Sequence, residues 1–385
     1  MTYALNTPKP ETPKPKTSKL DTPQSTDRQL RTEGFSLDAG IQFLETQVWP
    51  VANQLDTDSA KLFELFDQAS EPGLLTPKLP QAWGGAGLSS RAYQQLQSAI
   101  TARSGALAFL LTQHQSAASF LLSSDNEALK TAYLPAMATG QKRVGVGFSH
   151  LRRPTPPAIA QPVDGGYLLS GEVPWVTGAG LFEAFVGAAV LPTGEAVFGL
   201  LPLIDQLDQT TLNGSIKVGE PMAMMGMAAT RTVRVVLNEW FLSAENVVGR
   251  RPAGWLTDRD RENPLSPLGM ILGCAAAACR VLRDSLEKRQ IDLDLPEQLL
   301  ATTQQLADDW ERISALPASD YEKKMALRGQ AIAHMNQCAQ AAMIASGGAA
   351  NALSHPARRI YSEALVFSVS GQTNAGAIAT FAAIK

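Results

Sequence analysis

The sequence has little cysteine, three residues in 385, and no C-x-x-C pair. Cys274, Cys279 and Cys338 stand in Ala-rich helical stretches, so they read as buried small hydrophobes in a reducing compartment. No uninterrupted apolar run approaches the roughly 18 residues of a membrane span, and the opening stretch lacks the apolar centre of a signal peptide. Charge imbalance is lacking as well. A net charge of −3 gives no electrostatic case for nucleic acid or an anionic membrane as partner. The Gly-x-Ser-x-Gly, P-loop and Rossmann glycine motifs are absent, which leaves those nucleophile and nucleotide chemistries without support. His114, His334 and His355 stand apart without metal-ligand spacing and read as packing or surface residues, so no metal is expected. A soluble, cytoplasmic protein is the expectation.

What is present falls into four stretches. Residues 1–33 are rich in Pro, Lys and Thr and poor in large apolar residues. Such a segment cannot bury enough surface to offset its ordering entropy, and it reads as a disordered arm. Over 34–143, Leu37, Ile41, Leu44, Val48 and Val51 recur at helical steps, as do Leu62, Leu65 and Phe66. This is an all-helical domain, punctuated at Pro72-Gly73, Pro77, Pro80 and Gly84-Gly85. Over 144–252 short β-rich runs alternate with turns such as Asp164-Gly165-Gly166 and Pro192-Thr193-Gly194, which predicts an antiparallel β-barrel or sandwich. Over 253–385 long Ala-rich helical patterns return, at 270–282, 296–316 and 321–344, with short connections that favour an antiparallel four-helix bundle. The chain is an α+β multidomain protein in the order helices, sheet, bundle.

Four motifs in that order carry a family resemblance. Leu79-Pro80-Gln81-Ala82-Trp83-Gly84-Gly85 lies between early helices. The hairpin from Gly165-Gly166 ends in Pro174-Trp175-Val176-Thr177. Met224-Met225-Gly226-Met227 leads, through 232–237, to Ser243-Ala244-Glu245-Asn246-Val247-Val248-Gly249. Arg359-Ile360-Tyr361-Ser362-Glu363-Ala364 precedes 370–374. From about residue 36 to 385 the chain resembles the acyl-CoA dehydrogenases. The resemblance implies FAD as cofactor, an acyl thioester as substrate and a homodimer or homotetramer. It places Phe148, Ser149, Trp175 and Thr177 against the flavin, and Thr373 close to it. Gly347 and Gly348 match a double glycine through which one subunit's loop approaches its neighbour's cofactor. The residues suit these roles. A flavin needs an aromatic wall with donors on its polar edge, and strand alternation would set Trp175 and Thr177 on one face.

The chain departs from the family at the chemistry. The catalytic glutamate expected before Gly-Thr is replaced, since Gly371-Gln372-Thr373 stands there, and the alternative acid position falls near Ser266. Neither can remove a proton. Glu262, one helical turn earlier, and His150 are the remaining candidates, although Glu262 also reads as a solvated charge of a mixed run. Glu363 reads as an ion-pair partner of Arg358 or Arg359. His150 with Arg152 and Arg153 could hold an anion, or form an exposed basic turn. The Arg-x-x-Phe-Gly grip on the flavin pyrophosphate is missing, with Glu287-Lys288-Arg289-Gln290-Ile291-Asp292 in its place. Three functions follow: a flavin-dependent oxidoreductase of the CH–CH group with a non-classical or missing base, a flavin monooxygenase on the same fold, or a catalytically silent flavin- or acyl-binding protein.

Overall fold

A computed structural model describes residues 36–206 and 214–385. The arm expected over 1–33 lies outside the described residues. Helices α1 (Leu37–Phe43), α2 (Ser59–Gln68), α3 (Ser90–Thr101), α4 (Gly105–Leu122) and α5 (Glu127–Ala138) open the fold. Each begins on a side-chain cap: Ser36, Asp58, Ser89, Ser104 and Asn126 accept the backbone N–H three residues on. These caps satisfy donors that a first helical turn leaves free. Helix α4 is apolar on nearly every side and buried from Ala106 to Leu121, which makes it the axis of this part of the molecule.

Among the described residues eight strands follow: β1 (Val144–Gly147), β2 (Ala158–Val163), β3 (Gly166–Val176), β4 (Ala184–Val190), β5 (Ala196–Pro202), β6 (Ser215–Val218), β7 (Val233–Ser243) and β8 (Val247–Arg251). They form one sheet in the order β6-β7-β3-β2-β4-β5-β8, with β1 beside β4. The sheet is mixed rather than purely antiparallel, because β1 and β2 both run parallel to β4. Strands β4 and β5 are buried along both faces and read as unbroken apolar runs, whereas β7 alternates buried and exposed residues. Strand β8 pairs with β5 along Val247 to Arg251.

Helices α6 (Trp255–Glu262), α7 (Leu268–Lys288), α8 (Leu295–Ser314), α9 (Tyr321–Ser346), α10 (Pro356–Val369) and α11 (Asn374–Ile384) complete the chain. Small residues of α7 and α9 are spent inside this bundle: Ala275, Ala278, Ala339 and Ala342 are fully buried. They let helices of one chain pack closely and are not free for self-association.

Three parts of the molecule meet at a buried ionic knot. Arg359 donates to Glu363 Oε1 at 2.8 Å, and the backbone N–H of Gly105 donates to the same oxygen at 3.1 Å. Arg359 also reaches Asn53, while Arg358 pairs with Asp56 at 2.8 Å. Asp56 in turn accepts the N–H of Met227 from the sheet region. Only glycine fits at position 105, where a Cβ would stand 2.7 Å from the Glu363 carboxyl carbon. Glu363 is thus an ion-pair partner at the joint between the parts.

Candidate functional site

Trp175 sits where β3 breaks its pairing with β7. Val173 faces Val235 and Val176 faces Val233, so β3 carries one extra residue in between. Pro174, which has no N–H to give, falls in this bulge, and a bulge turns its side chains out of the regular alternation. As a result Trp175 is 48% exposed, while Thr177, one residue past the strand, is buried. Trp175 and Thr177 thus differ in exposure at the end of one strand. Thr177 Oγ1 lies 3.0 Å from Thr232 Oγ1, and each hydroxyl keeps capacity for one more hydrogen bond.

The end of β1 lies directly against this edge. A Cβ on Gly147 would stand 2.8 Å from Val176, so β1 can approach β3 only through glycine. The next residue, Phe148, packs its ring on Phe120 at 4.8 Å between centroids and on Phe198 at 5.6 Å. It is a half-buried wall of an aromatic cluster that also includes Trp255. Ser149 is exposed at the start of a single turn over Ser149–Arg152.

The basic turn expected at 150–153 is pulled apart by its own partners. His150 is 2% exposed and its Nε2 lies 3.0 Å from the Ala188 carbonyl. Burial pushes its pKa down to about 4, so at neutral pH it carries no charge and is poorly placed to take a proton from a ligand. Its Nδ1 has no partner among the described residues. Arg152 forks both oxygens of Asp260, at 2.6 and 2.8 Å. Glu262 is exposed at the end of α6. Arg259, earlier in that helix, lies 5.2 Å from the rings of both Phe120 and Trp255.

The position where an acid was expected is held by a buried arginine instead. Gly371 has φ 58, a left-handed conformation that disfavours a side chain such as glutamate. Its carbonyl accepts from Arg328 at 2.9 Å, and the carbonyl of Pro264, two residues before the alternative position Ser266, accepts from the same guanidinium at 3.3 Å. Thr373 caps α11 by accepting the Gly376 N–H at 3.1 Å. No residue pattern flagged Arg328, because one arginine in a helical run reads as surface until the two loops converge on it.

Gly347 and Gly348 lie at the far end of α9. Nineteen residue steps along α9 separate Arg328 from Gly347, about 28 Å of rise, so the double glycine lies far from the Thr373 end of the bundle in a single chain. Gly347 has φ 64, and space is open around Gly348. Arg289, from the segment replacing the pyrophosphate grip, donates to Ala345 at 3.0 Å beside it. A separate cavity of about 570 Å³ opens between α9 and α11, lined by Tyr321, Met325, Ala326, Ile378 and Ala379 among others.

Residues 37–141 match the family described as acyl-CoA dehydrogenase, N-terminal domain. Over 221 residues, 56% of this chain and 57% of the relative, the chain is 24% identical to the 3-(aryl)acrylate reductase of Clostridium sporogenes. It is 28% identical over 228 residues to the mitochondrial very long-chain specific acyl-CoA dehydrogenase of Rattus norvegicus, covering 54% of this chain and 34% of that one. The matched stretch thus spans between a third and three fifths of these relatives. In structure, a glutaryl-coenzyme A dehydrogenase complex shares the fold with a TM-score of 0.72 at 18% identity, covering 90% of this chain and 92% of the other. Butyryl-CoA dehydrogenase from Megasphaera elsdenii follows at 0.68 and 18%, covering 90% and 96%.

Proposed function

We infer that the chain, an acyl-CoA dehydrogenase family member by sequence and fold, is a flavin-dependent oxidoreductase acting on the CH–CH bond of an acyl substrate, with FAD as cofactor. The observation that carries this reading is Trp175: a large indole, 48% exposed, aimed outward by a bulge at the edge where β1 and β3 converge. A broad apolar surface left uncovered at a built site calls for a ligand to cover it. The residues fit a flavin in kind. Trp175 would supply the wall, and Thr177 with Ser149 would supply hydroxyls at its edge. Thr373 would stand on the bundle side, and Phe148 would back the site from the aromatic cluster. Gly347 and Gly348, with Arg289 beside them, would serve the cofactor of a neighbouring copy, because they lie too far along α9 to serve their own. The flavin, when bound, supplies a two-electron acceptor or donor.

The substrate in this reading is an acyl thioester, as the names of most relatives suggest. The reductase's name points to the same bond treated in the reducing direction. Either direction moves a proton at the α-carbon, and no acid stands at Gly371 or Ser266. Of the two remaining candidates, His150 is buried and neutral, which leaves exposed Glu262 as the group that could exchange a proton with solvent. A homodimer or homotetramer is part of the proposal. Tyr361, Leu365 and Val369 share one exposed face of α10, and Ile378, Phe381 and Ile384 share another on α11, beside the open apolar cavity. A second copy would cover them. The free, buried state of all three cysteines suits the cytoplasm, and no helix among the described residues is long and apolar enough to cross a membrane.

The test is the visible absorption spectrum of purified protein loaded with FAD, before and after anaerobic addition of acyl thioesters. Bleaching of the flavin is expected, and Trp175→Ala should lose most of the bound FAD while remaining folded. Oxygen uptake that requires externally reduced flavin, without bleaching, would favour the monooxygenase reading. Protein that stays colourless in excess FAD would overturn the assignment in favour of a catalytically silent protein.

A further inference from the structure

Arg328 is 5% exposed and forms no ion pair among the described residues. Among the described residues its Nη1 and Nη2 groups donate only to the carbonyls of Pro264 and Gly371, and its Nε–H has no partner. Asp260 is the one acid near enough to influence it, and that carboxylate is already forked by Arg152. Tyr321 and Arg152 are the other ionisable neighbours that act on it. A buried guanidinium whose nearby carboxylate is already engaged by another arginine is costly, and backbone carbonyls offset only part of that cost. Its place adds meaning. It joins the two loops on which an acid was expected, so the charge at this spot is opposite in sign to the one anticipated.

We propose that Arg328 is an anion-binding group of this site and that it receives a carboxylate carried by the substrate. This rests on the reading of the site as one for acyl oxidoreduction and deepens it by naming the substrate class. A carboxylate suits the guanidinium because its two oxygens can accept parallel N–H bonds and supply the missing negative charge. The carboxylate can belong to a free acid, or to the far end of a dicarboxylic acyl thioester. Both share the same recognition chemistry, and the test separates them.

The experiment uses the full chain, titrated calorimetrically with and without FAD, against four probes: 3-phenylpropanoate, its neutral amide, glutaryl-CoA and butyryl-CoA. The expected result is that 3-phenylpropanoate binds at least about 10-fold tighter than its amide, or that glutaryl-CoA binds at least about 10-fold tighter than butyryl-CoA. The first preference assigns a free acid and the second a dicarboxylic thioester. Arg328→Met should abolish whichever preference appears, and Arg328→Lys should keep part of it. A purely structural clamp would change thermal stability in these variants but would show no charge preference in the wild type. Equal binding within both pairs in the wild-type protein would overturn the proposal, as would an unchanged preference in a folded Arg328→Met. The flavin spectrum is read on the same samples. Flavin bound without a charge preference sinks the subsite and leaves the oxidoreductase reading standing. A charge preference without bound flavin does the reverse.

Discussion

Two arginines of the C-terminal bundle are buried to the same degree and live in opposite circumstances. Arg359 is 1% exposed, pairs with Glu363 and also reaches Asn53, in a knot that joins the helices to the sheet region. Arg328 is 5% exposed and has only two carbonyls for company. Burial alone therefore says little about what a charged side chain is for. A charge whose needs are met inside the chain reads as a fastening, whereas one left unmet is more informative about what the chain binds.

The comparison is tested most severely at the knot. Arg359→Met should strand the Glu363 carboxylate, which burial already pushes above the ordinary range and whose Oε2 has no partner. Removing one member of a buried pair costs about 3–5 kcal/mol, which is enough to threaten folding of a domain of ordinary stability. Urea unfolding is the measurement. The double variant Arg359→Met with Glu363→Leu should recover part of the loss, because no orphaned charge remains. If the single variant unfolds at the wild-type midpoint, the knot is not a fastening.

The buried histidines sharpen the same contrast. His114 has both ring nitrogens engaged, with Val144 on one side and Met137 on the other, whereas His150 leaves Nδ1 unpaired. Desolvation lowers both to about 4 from an ordinary 6.5. In the unfolded chain these rings take up a proton near 6.5; in the folded chain they do so only near 4. Falling pH therefore favours unfolding across that window, by up to about 3 kcal/mol per histidine. Melting temperature measured from pH 7 to pH 4 should fall through the window, and His114→Gln should flatten the slope without removing it. A flat profile in the wild type would mean that these rings are more accessible to protons than their burial implies.

Sequence patterns reached the fold well wherever periodicity was long or turns were sharp. The helices expected at 270–282, 296–316 and 321–344 lie within α7, within one or two residues of α8, and within α9. What they missed was register and direction. The parallel pairing of β4 with β1 and β2 is a matter of topology, which no local pattern encodes. Nor does alternation foresee the irregularity between Val173 and Val176, because it assumes an unbroken ladder. The site was legible as single motifs: an aromatic before a threonine, a double glycine, a missing glutamate. Its electrostatics were not. The basic turn at 150–153 dissolved once Arg152 found Asp260 from a different segment, and Arg328 took on meaning only when Gly371 and Pro264 met over it.

The smallest expected effect is the most telling. Arg328→Met removes two charged hydrogen bonds to carbonyls, a loss of about 1.5–3 kcal/mol each by general experience. It also removes a buried cation that forms no ion pair among the described residues, a gain of several kcal/mol. The terms oppose one another, and the net change in unfolding free energy should stay within about 1 kcal/mol, against the larger loss at Arg359. Thioether and methylene groups of similar length can fill the vacated space without strain. A loss at Arg328 as large as that at Arg359 would show that the carbonyls satisfy the guanidinium fully, and the distinction between the two arginines would vanish. A near-zero or stabilising change would mean that the chain tolerates an unfavourable charge in its free state, which is what a group reserved for a ligand should look like.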